Sequence, residues 1–200
     1  MGNIKEYLTA AKCSYPVWGK EDTIYYLDTR DGVPQIWEKD LCTGSSRKMT
    51  HNSDKISRMR YFAGQVFFAM DMDGDENEQI YRIGTDNREV MPVVYHPRNV
   101  RSHLGDVSGD WVYYASNKRL RCIFDICRKN LLNGKTDILI EGKDAVCLPL
   151  SISPDEEILL YSRRTSFADM QIYCKNLHTG EERKVSKEQQ CAMEESPAWL

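Results

Sequence analysis

No apolar run in the 200-residue chain exceeds five residues, Val66 to Met70 being one of them. A membrane-crossing helix needs about 20, so no membrane partner is expected. There is no excess of positive charge: 27 basic against 30 acidic residues leave a net charge of −3, and nucleic acid, which wants a basic face, is not an expected partner. No apolar segment follows Met1-Gly2-Asn3-Ile4-Lys5-Glu6, so no signal peptide is expected. Glu6 stands where an N-myristoylation signal carries Ser or Thr. Seven cysteines, at 13, 42, 122, 127, 147, 174 and 191, are an odd number and contain no Cys-x-x-Cys pair. Reduced thiols and a cytoplasmic location are therefore expected, with the thiols acting as small buried hydrophobes. Cys122 and Cys127 both fall in a segment that reads as strand. No Gly-x-Ser-x-Gly elbow exists to expose a nucleophile. The expectation is of no catalytic, no cofactor-binding and no metal-binding residue, and of no cofactor.

What is present is a repeat. Ile24-Tyr25-Tyr26-Leu27-Asp28 precedes Gln35-Ile36-Trp37, and Val66-Phe67-Phe68-Ala69-Met70 precedes Gln79-Ile80-Tyr81. Trp111-Val112-Tyr113-Tyr114-Ala115 precedes Ile123-Phe124-Asp125-Ile126, and Ile158-Leu159-Leu160-Tyr161 precedes Gln171-Ile172-Tyr173. Tyr25, Phe67, Tyr113 and Leu160 recur at intervals of 42, 46 and 47; Ile36, Ile80, Ile123 and Ile172 recur at 44, 43 and 49. Strand pairs at a period of about 40 to 50 residues mark β-propeller blades, each a four-stranded antiparallel sheet. The 41% hydrophobic and 28% charged content is that of a globular protein.

The fold class expected is thus all-β: a β-propeller of about four blades of four antiparallel strands, plus the first strand of a fifth, forming an incomplete ring. A short N-terminal leader helix is expected over residues 1–13, where Ile4, Tyr7, Leu8 and Ala11 fall at helical spacing. The partial propeller occupies 14–200, with blades at about 14–54, 55–99, 100–145 and 146–190 and the start of the next at 191–200. Glu195-Ser196-Pro197-Ala198-Trp199-Leu200 repeats the opening phrase Tyr15-Pro16-Val17-Trp18. A strand there would have no sheet to join, so the chain reads as the N-terminal part of a longer protein, and self-association through exposed blade faces is expected.

Each chemically suggestive group has a plainer reading. Asp71, Asp73, Asp75, Glu76 and Glu78 suggest calcium, but an EF-hand counted from Asp71 would need Gly and Glu where Glu76 and Arg82 stand. A solvated acidic hairpin turn is the better reading. His51, His96, His103 and His178 have no metal-site spacing; His51 and His178 read as loop residues, and His103, in an inner strand, is the one placed to face a central channel. The aromatics at matching strand positions, Tyr25 through Tyr173, read as packing between blades. Lys118, Arg119 and Arg121, and the pair Arg163 and Arg164, read as solvated hairpin ends that could face peptide carboxylates. Ser45-Ser46 and Ser108-Gly109 read as turns.

Taken in register, these phrases resemble a known family. Tyr15-Pro16-Val17-Trp18, Asp31-Gly32, Gln35-Ile36-Trp37, Thr43-Gly44 and Met49-Thr50 resemble the first blade of the prolyl oligopeptidase clan of serine peptidases. The run Asp71-Met72-Asp73-Gly74-Asp75-Glu76-Asn77 before Gln79-Ile80-Tyr81 resembles its acylaminoacyl-peptidase-like branch. Leu150-Ser151-Ile152-Ser153-Pro154-Asp155 is similar to the Ser-Pro-Asp-Gly phrase of TolB-like repeats, with Glu156 in place of Gly. The resemblance implies a seven- or eight-bladed propeller in front of an α/β-hydrolase domain, capping its active site and filtering peptides by size. The catalytic triad of that family lies in the hydrolase domain, so none of its members maps onto this sequence. The resemblance implies that this chain is a non-catalytic N-terminal propeller segment, expected to reach peptide substrates through a missing α/β-hydrolase domain. The alternative is a TolB-like scaffold for protein–protein interaction.

Overall fold

The structure, a computed structural model, describes residues 11–96, 99–166 and 168–186. Among them all regular secondary structure is β-strand. The leader helix expected over 1–13 falls mainly outside the described residues, and the strand expected at 196–200 falls wholly outside them.

The first sheet is a four-stranded meander of β1 (Cys13–Trp18), β2 (Thr23–Asp28), β3 (Gln35–Asp40) and β4 (Ser46–Lys48). The second repeats it with β5 (Ile56–Phe62), β6 (Gln65–Met70), β7 (Gln79–Gly84) and β8 (Val90–Val94). Two further meanders follow. They are β9 (Ser102–Ser108), β10 (Trp111–Leu120), β11 (Ile123–Asn130) and β12 (Thr136–Ile140), then β13 (Val146–Ile152), β14 (Ile158–Ser166), β15 (Asp169–Asn176) and β16 (Glu182–Lys184). A parallel bridge between Phe124 and Val146 joins these last two into one eight-stranded sheet. All other strand pairs in the described ladders are antiparallel. Ser46 and Ser108 are strand residues rather than the turn residues expected.

The chain divides into two compact units, one holding β1 to β6 with Tyr81–Pro92, the other holding Asn77–Ile80 with β9 to β16. In the first, the second strand of each blade is buried on both faces, with four consecutive buried residues in β2 and in β6. Tyr25, Leu27, Ile36, Met59, Val66 and Phe68 form its buried core, and Tyr25 stacks on Tyr61 at 5.5 Å between ring centroids. In the second, Tyr113, Ile126, Cys147, Ile152, Leu159 and Tyr161 form the core. There β9 and β13 approach so closely that any side chain at Gly105 would collide with Pro149. The expected aromatic positions are mostly buried, with Trp37, Phe124 and Tyr173 only half-buried.

The register of the repeat differs from the expected one in the third blade. Four backbone hydrogen bonds mark the same point after each third strand: Gly44 N to Asp40 O, Arg88 N to Gly84 O, Gly134 N to Asn130 O and Gly180 N to Asn176 O. Counting back four residues from each acceptor gives Ile36, Ile80, Ile126 and Ile172, at intervals of 44, 46 and 46. Ile126 therefore replaces Ile123 as the repeat residue. It pairs with Ala115 as Ile36 pairs with Leu27, and it is fully buried while Ile123 is half-exposed. The reason is the long β10, which carries its hairpin beyond the sheet core to a turn at 121–122. Cys122 consequently lies in that turn and is exposed, not in a strand, while Cys127 is buried.

Candidate functional site

In the first three blades the residue preceding the repeat isoleucine grips the chain as it enters the next blade, whereas Gln171 of the fourth bonds Asp169 and Tyr173 within its own blade. Gln35 Nε2 donates to the Asp54 carbonyl at 3.2 Å, just before β5. Gln79 Nε2 donates to the Val100 carbonyl at 2.6 Å, just before β9. In the third blade the residue is Asp125, whose Oδ1 accepts from the Gly142 amide at 2.8 Å, ahead of β13. Asp125 is buried and needs a countercharge, which Arg119 supplies in a two-pronged contact: Nε to Oδ2 at 2.8 Å and Nη2 to Oδ1 at 2.7 Å. Burial alone would raise the Asp125 pKa, but the hydrogen bonds from Arg119 and Gly142 and the Arg119 charge outweigh it, holding the carboxyl below its ordinary value. From the other side Arg163 Nη2 reaches Asp144 Oδ1 at 2.7 Å. Two arginines expected to be plain solvated hairpin ends thus hold the 141–145 connector from both flanking blades.

Beside this connector a groove of about 430 Å³ opens among Leu139, Ile140, Lys143, Tyr161, Arg163 and Lys175. Lys175 Nζ donates to the Leu139 carbonyl at 3.0 Å. Tyr161, in this unit's core, hydrogen-bonds Glu182, and burial followed by that carboxylate pushes its hydroxyl pKa well up. Cys147 lines the groove floor, and burial raises its thiol to about 11. It stays protonated at neutral pH and is not an activated nucleophile. The arrangement can bind charged ligand groups but has no nucleophile–base pair. The β10–β11 hairpin, whose Arg119 reaches the Gly142 carbonyl of the connector, presents Lys118, Leu120 and Arg121 to solvent. The pKa of His96 is lowered by burial first and then by the charges of Lys118 and Lys129.

The other sequence candidates do not join this groove. Asp73 N donates to Asp54 Oδ1 at 3.0 Å, and Asp75 and Glu76 are exposed as expected. Glu78 is a correction: it is buried at 7% exposure, and its Oε2 lies 3.1 Å from Arg101 Nη2 and 3.5 Å from Nδ1 of His103, in β9. A buried carboxylate requires such partners, which sequence alone could not reveal because Arg101 and His103 arrive from the following blade. His51 and His178 are exposed. A second, shallower depression of about 430 Å³ in the first unit is lined by Cys13, Pro16, Ile24, Tyr26, Arg30 and Lys39. Among the described residues no group of three or more His, Cys, Asp or Glu could hold a metal ion. Asp125, its pairing with Arg119 and the groove are not among the sequence candidates, Arg119 being read there only as a hairpin end; Asp125 standing where the other blades have Gln is the one available signal.

No protein-family model matches the chain, and no curated protein matches it in sequence. Solved structures do match in fold. TolB from Acinetobacter baumannii superposes with a TM-score of 0.70 at 19% identity, over 93% of this chain and 45% of TolB. A prolyl endopeptidase matches at 0.68 and 13% identity, over 91% of this chain and 30% of its own. A puromycin-hydrolysing peptidase of Mycobacterium tuberculosis matches at 0.64 and 14% identity, over 89% and 31%. The chain spans less than half the length of each. The fold they define is that of a TolB-like β-propeller, and the sheets described above are its blades.

Proposed function

We propose that this chain is a non-catalytic propeller segment of a serine peptidase of the prolyl oligopeptidase type, gating or orienting peptides for an α/β-hydrolase domain carried outside these 200 residues. The observation that supports this is the likeness of nearly the whole chain to the propeller-bearing peptidase structures, taken with the prolyl-oligopeptidase-like phrases at Tyr15–Trp18 and Asp71–Tyr81. The chemistry of the groove agrees with it: charged side chains able to hold peptide termini, and a thiol, Cys147, held protonated. The acylaminoacyl-peptidase-like character of the 71–77 hairpin makes acylated peptides the first substrates to test.

A second reading, a TolB-like scaffold for protein–protein interaction in the cytoplasm, is favoured by the TolB match at the higher TM-score and identity. The test uses the native gene product, immunoprecipitated through this chain from its source and exposed to a fluorophosphonate probe. A labelled serine in the same polypeptide supports the peptidase reading. An unlabelled polypeptide that carries a stoichiometric partner protein defeats it in favour of the scaffold. The isolated 200-residue chain should neither take up the probe nor hydrolyse acyl-amino-acid or prolyl chromogenic substrates.

A further inference from the structure

The chain as a whole is acidic, yet one edge of the second unit is not. The β10–β11 hairpin carries Lys118, Arg119 and Arg121 in succession around Leu120, which is 46% exposed. Arg119 is committed to Asp125 and its Nη2 also lies 3.4 Å from the Gly142 carbonyl. That contact brings the hairpin against the 141–145 connector, whose next residue is the exposed Lys143. Lys143 in turn lines the 430 Å³ groove together with Leu139 and Ile140 of β12. Lys118, Arg121 and Lys143 form no ion pair among the described residues. The edge thus carries three exposed cations, an exposed leucine between two of them in sequence and, past the Arg119–Gly142 contact, a part-apolar groove lined by the third cation.

We infer that this edge is a docking surface for an acidic peptide segment, its carboxylates meeting Lys118, Arg121 and Lys143 and an apolar side chain entering the groove beside Leu139 and Ile140. The surface is independent of whether the propeller serves a peptidase or a scaffold. Charge complementarity selects the occupant. Exposed cations on an otherwise negative protein attract carboxylates and steer them by a field that salt screens. A nucleic acid is the poorer fit. Glu141, Asp144 and Glu182 line or flank the groove, which therefore suits the apolar side chain of a short peptide whose carboxylates stay on the cations outside it, not a continuous phosphate backbone running through it, and Lys118, Leu120, Arg121 and Lys143 offer no aromatic ring on which a base could stack. Lowering of the His96 pKa by Lys118 is consistent with the same local field.

The test is fluorescence anisotropy of a short fluorescein-labelled peptide of Glu residues around one Leu, titrated with the full 200-residue chain, beside its Glu→Lys counterpart. The acidic peptide should bind and the basic one should not, with affinity falling steeply between about 50 and 500 mM salt. The triple variant K118E/R121E/K143E should weaken binding by at least about tenfold, since three charge contacts of modest individual worth are reversed together. K12E/K20E/K55E, the same change of net charge placed in the first unit, should leave binding unaltered. K118Q/R121Q/K143Q is the milder variant if the reversal disturbs the fold, which the melting temperature reports, and it should weaken binding in the same direction. Equal binding of both peptides, no binding of the acidic peptide at low salt, or equal loss in both charge-reversed triples would overturn the proposal. So would single-stranded RNA that binds more tightly and displaces the peptide, which would mark the edge as a nucleic-acid surface instead.

Discussion

The two units join their blades by different means. In the first, the junction is apolar and neutral: Tyr25 stacks on Tyr61, Ile56 N reaches the Pro34 carbonyl at 3.3 Å, and the Gln35 amide grips Asp54 O. In the second, blades three and four share the Phe124–Val146 strand bridge, and Asp125 with Arg119 replaces the neutral amide by a buried ion pair. A neutral clip needs only its hydrogen bonds satisfied. A charged clip must also keep a countercharge in place, because a buried carboxylate left alone is costly. The first junction should therefore be insensitive to pH, and the second should weaken in acid.

The largest expected effect tests the repeat register on which the comparison rests. Ile126→Ala should cost about 3 kcal/mol, as for a fully buried aliphatic residue, whereas Ile123→Ala, half-exposed, should cost less than about 1.5 kcal/mol. Urea unfolding of the two variants decides it, and the reverse order would restore Ile123 as the repeat residue.

Next is the charged clip. Asp125→Asn should destabilise by about 2 kcal/mol, because Arg119 loses its charged acceptor and the Gly142 amide loses the stronger half of its bond. The sign of the pH dependence follows from the depressed Asp125 pKa. The folded state binds that proton less readily than the unfolded chain, so the stabilisation is complete above the unfolded value of about 4 and is lost as pH falls through the lower folded value. Unfolding free energy measured from pH 6 downward should fall more steeply for the native chain than for Asp125→Asn. Parallel curves would mean that Asp125 contributes no acid sensitivity.

The neutral clip should cost less. Gln35→Ala removes the bond to Asp54 O and should lower stability by about 1 kcal/mol, with no change in the acid limb of the same measurement. An acid-dependent loss at Gln35 would erase the distinction between the junctions.

The smallest effect separates the second blade from the other three. The turn after each third strand places its fourth residue at positive φ: Gly44 at 71°, Gly134 at 74° and Gly180 at 75°, but Arg88 at 54°. A side chain there crowds the backbone. Arg88→Gly should raise stability by up to about 1 kcal/mol, and Gly134→Ala should lower it by a similar amount. Thermal melts of the pair give the signs; a destabilised Arg88→Gly would show that the arginine makes contacts outweighing its backbone strain.

Sequence and structure agree where the signal is local. The short apolar runs around Tyr25, Phe67, Tyr113 and Leu160 sit on strands buried on both faces, and glycine at 44, 134 and 180 marks turns that need positive φ. The chain itself thus specifies all-β meanders and their spacing of about 45 residues, since pleat and turn chemistry act between residues close in sequence. What only the tertiary structure decided are the contacts made across a blade boundary. Ile126 rather than Ile123 fills the third core position, because the overhang of β10 is set by its pairing and not by its composition. Glu78 is buried because Arg101 and His103 come to it from 23 and 25 residues away. Asp125 is a clip, and the hairpin of Lys118 and Arg121 meets the connector of Lys143, because one arginine holds the two together. Charge and burial at such points depend on which strands meet, and that is determined by closing long loops around a shared core, a cost and a geometry no single segment encodes.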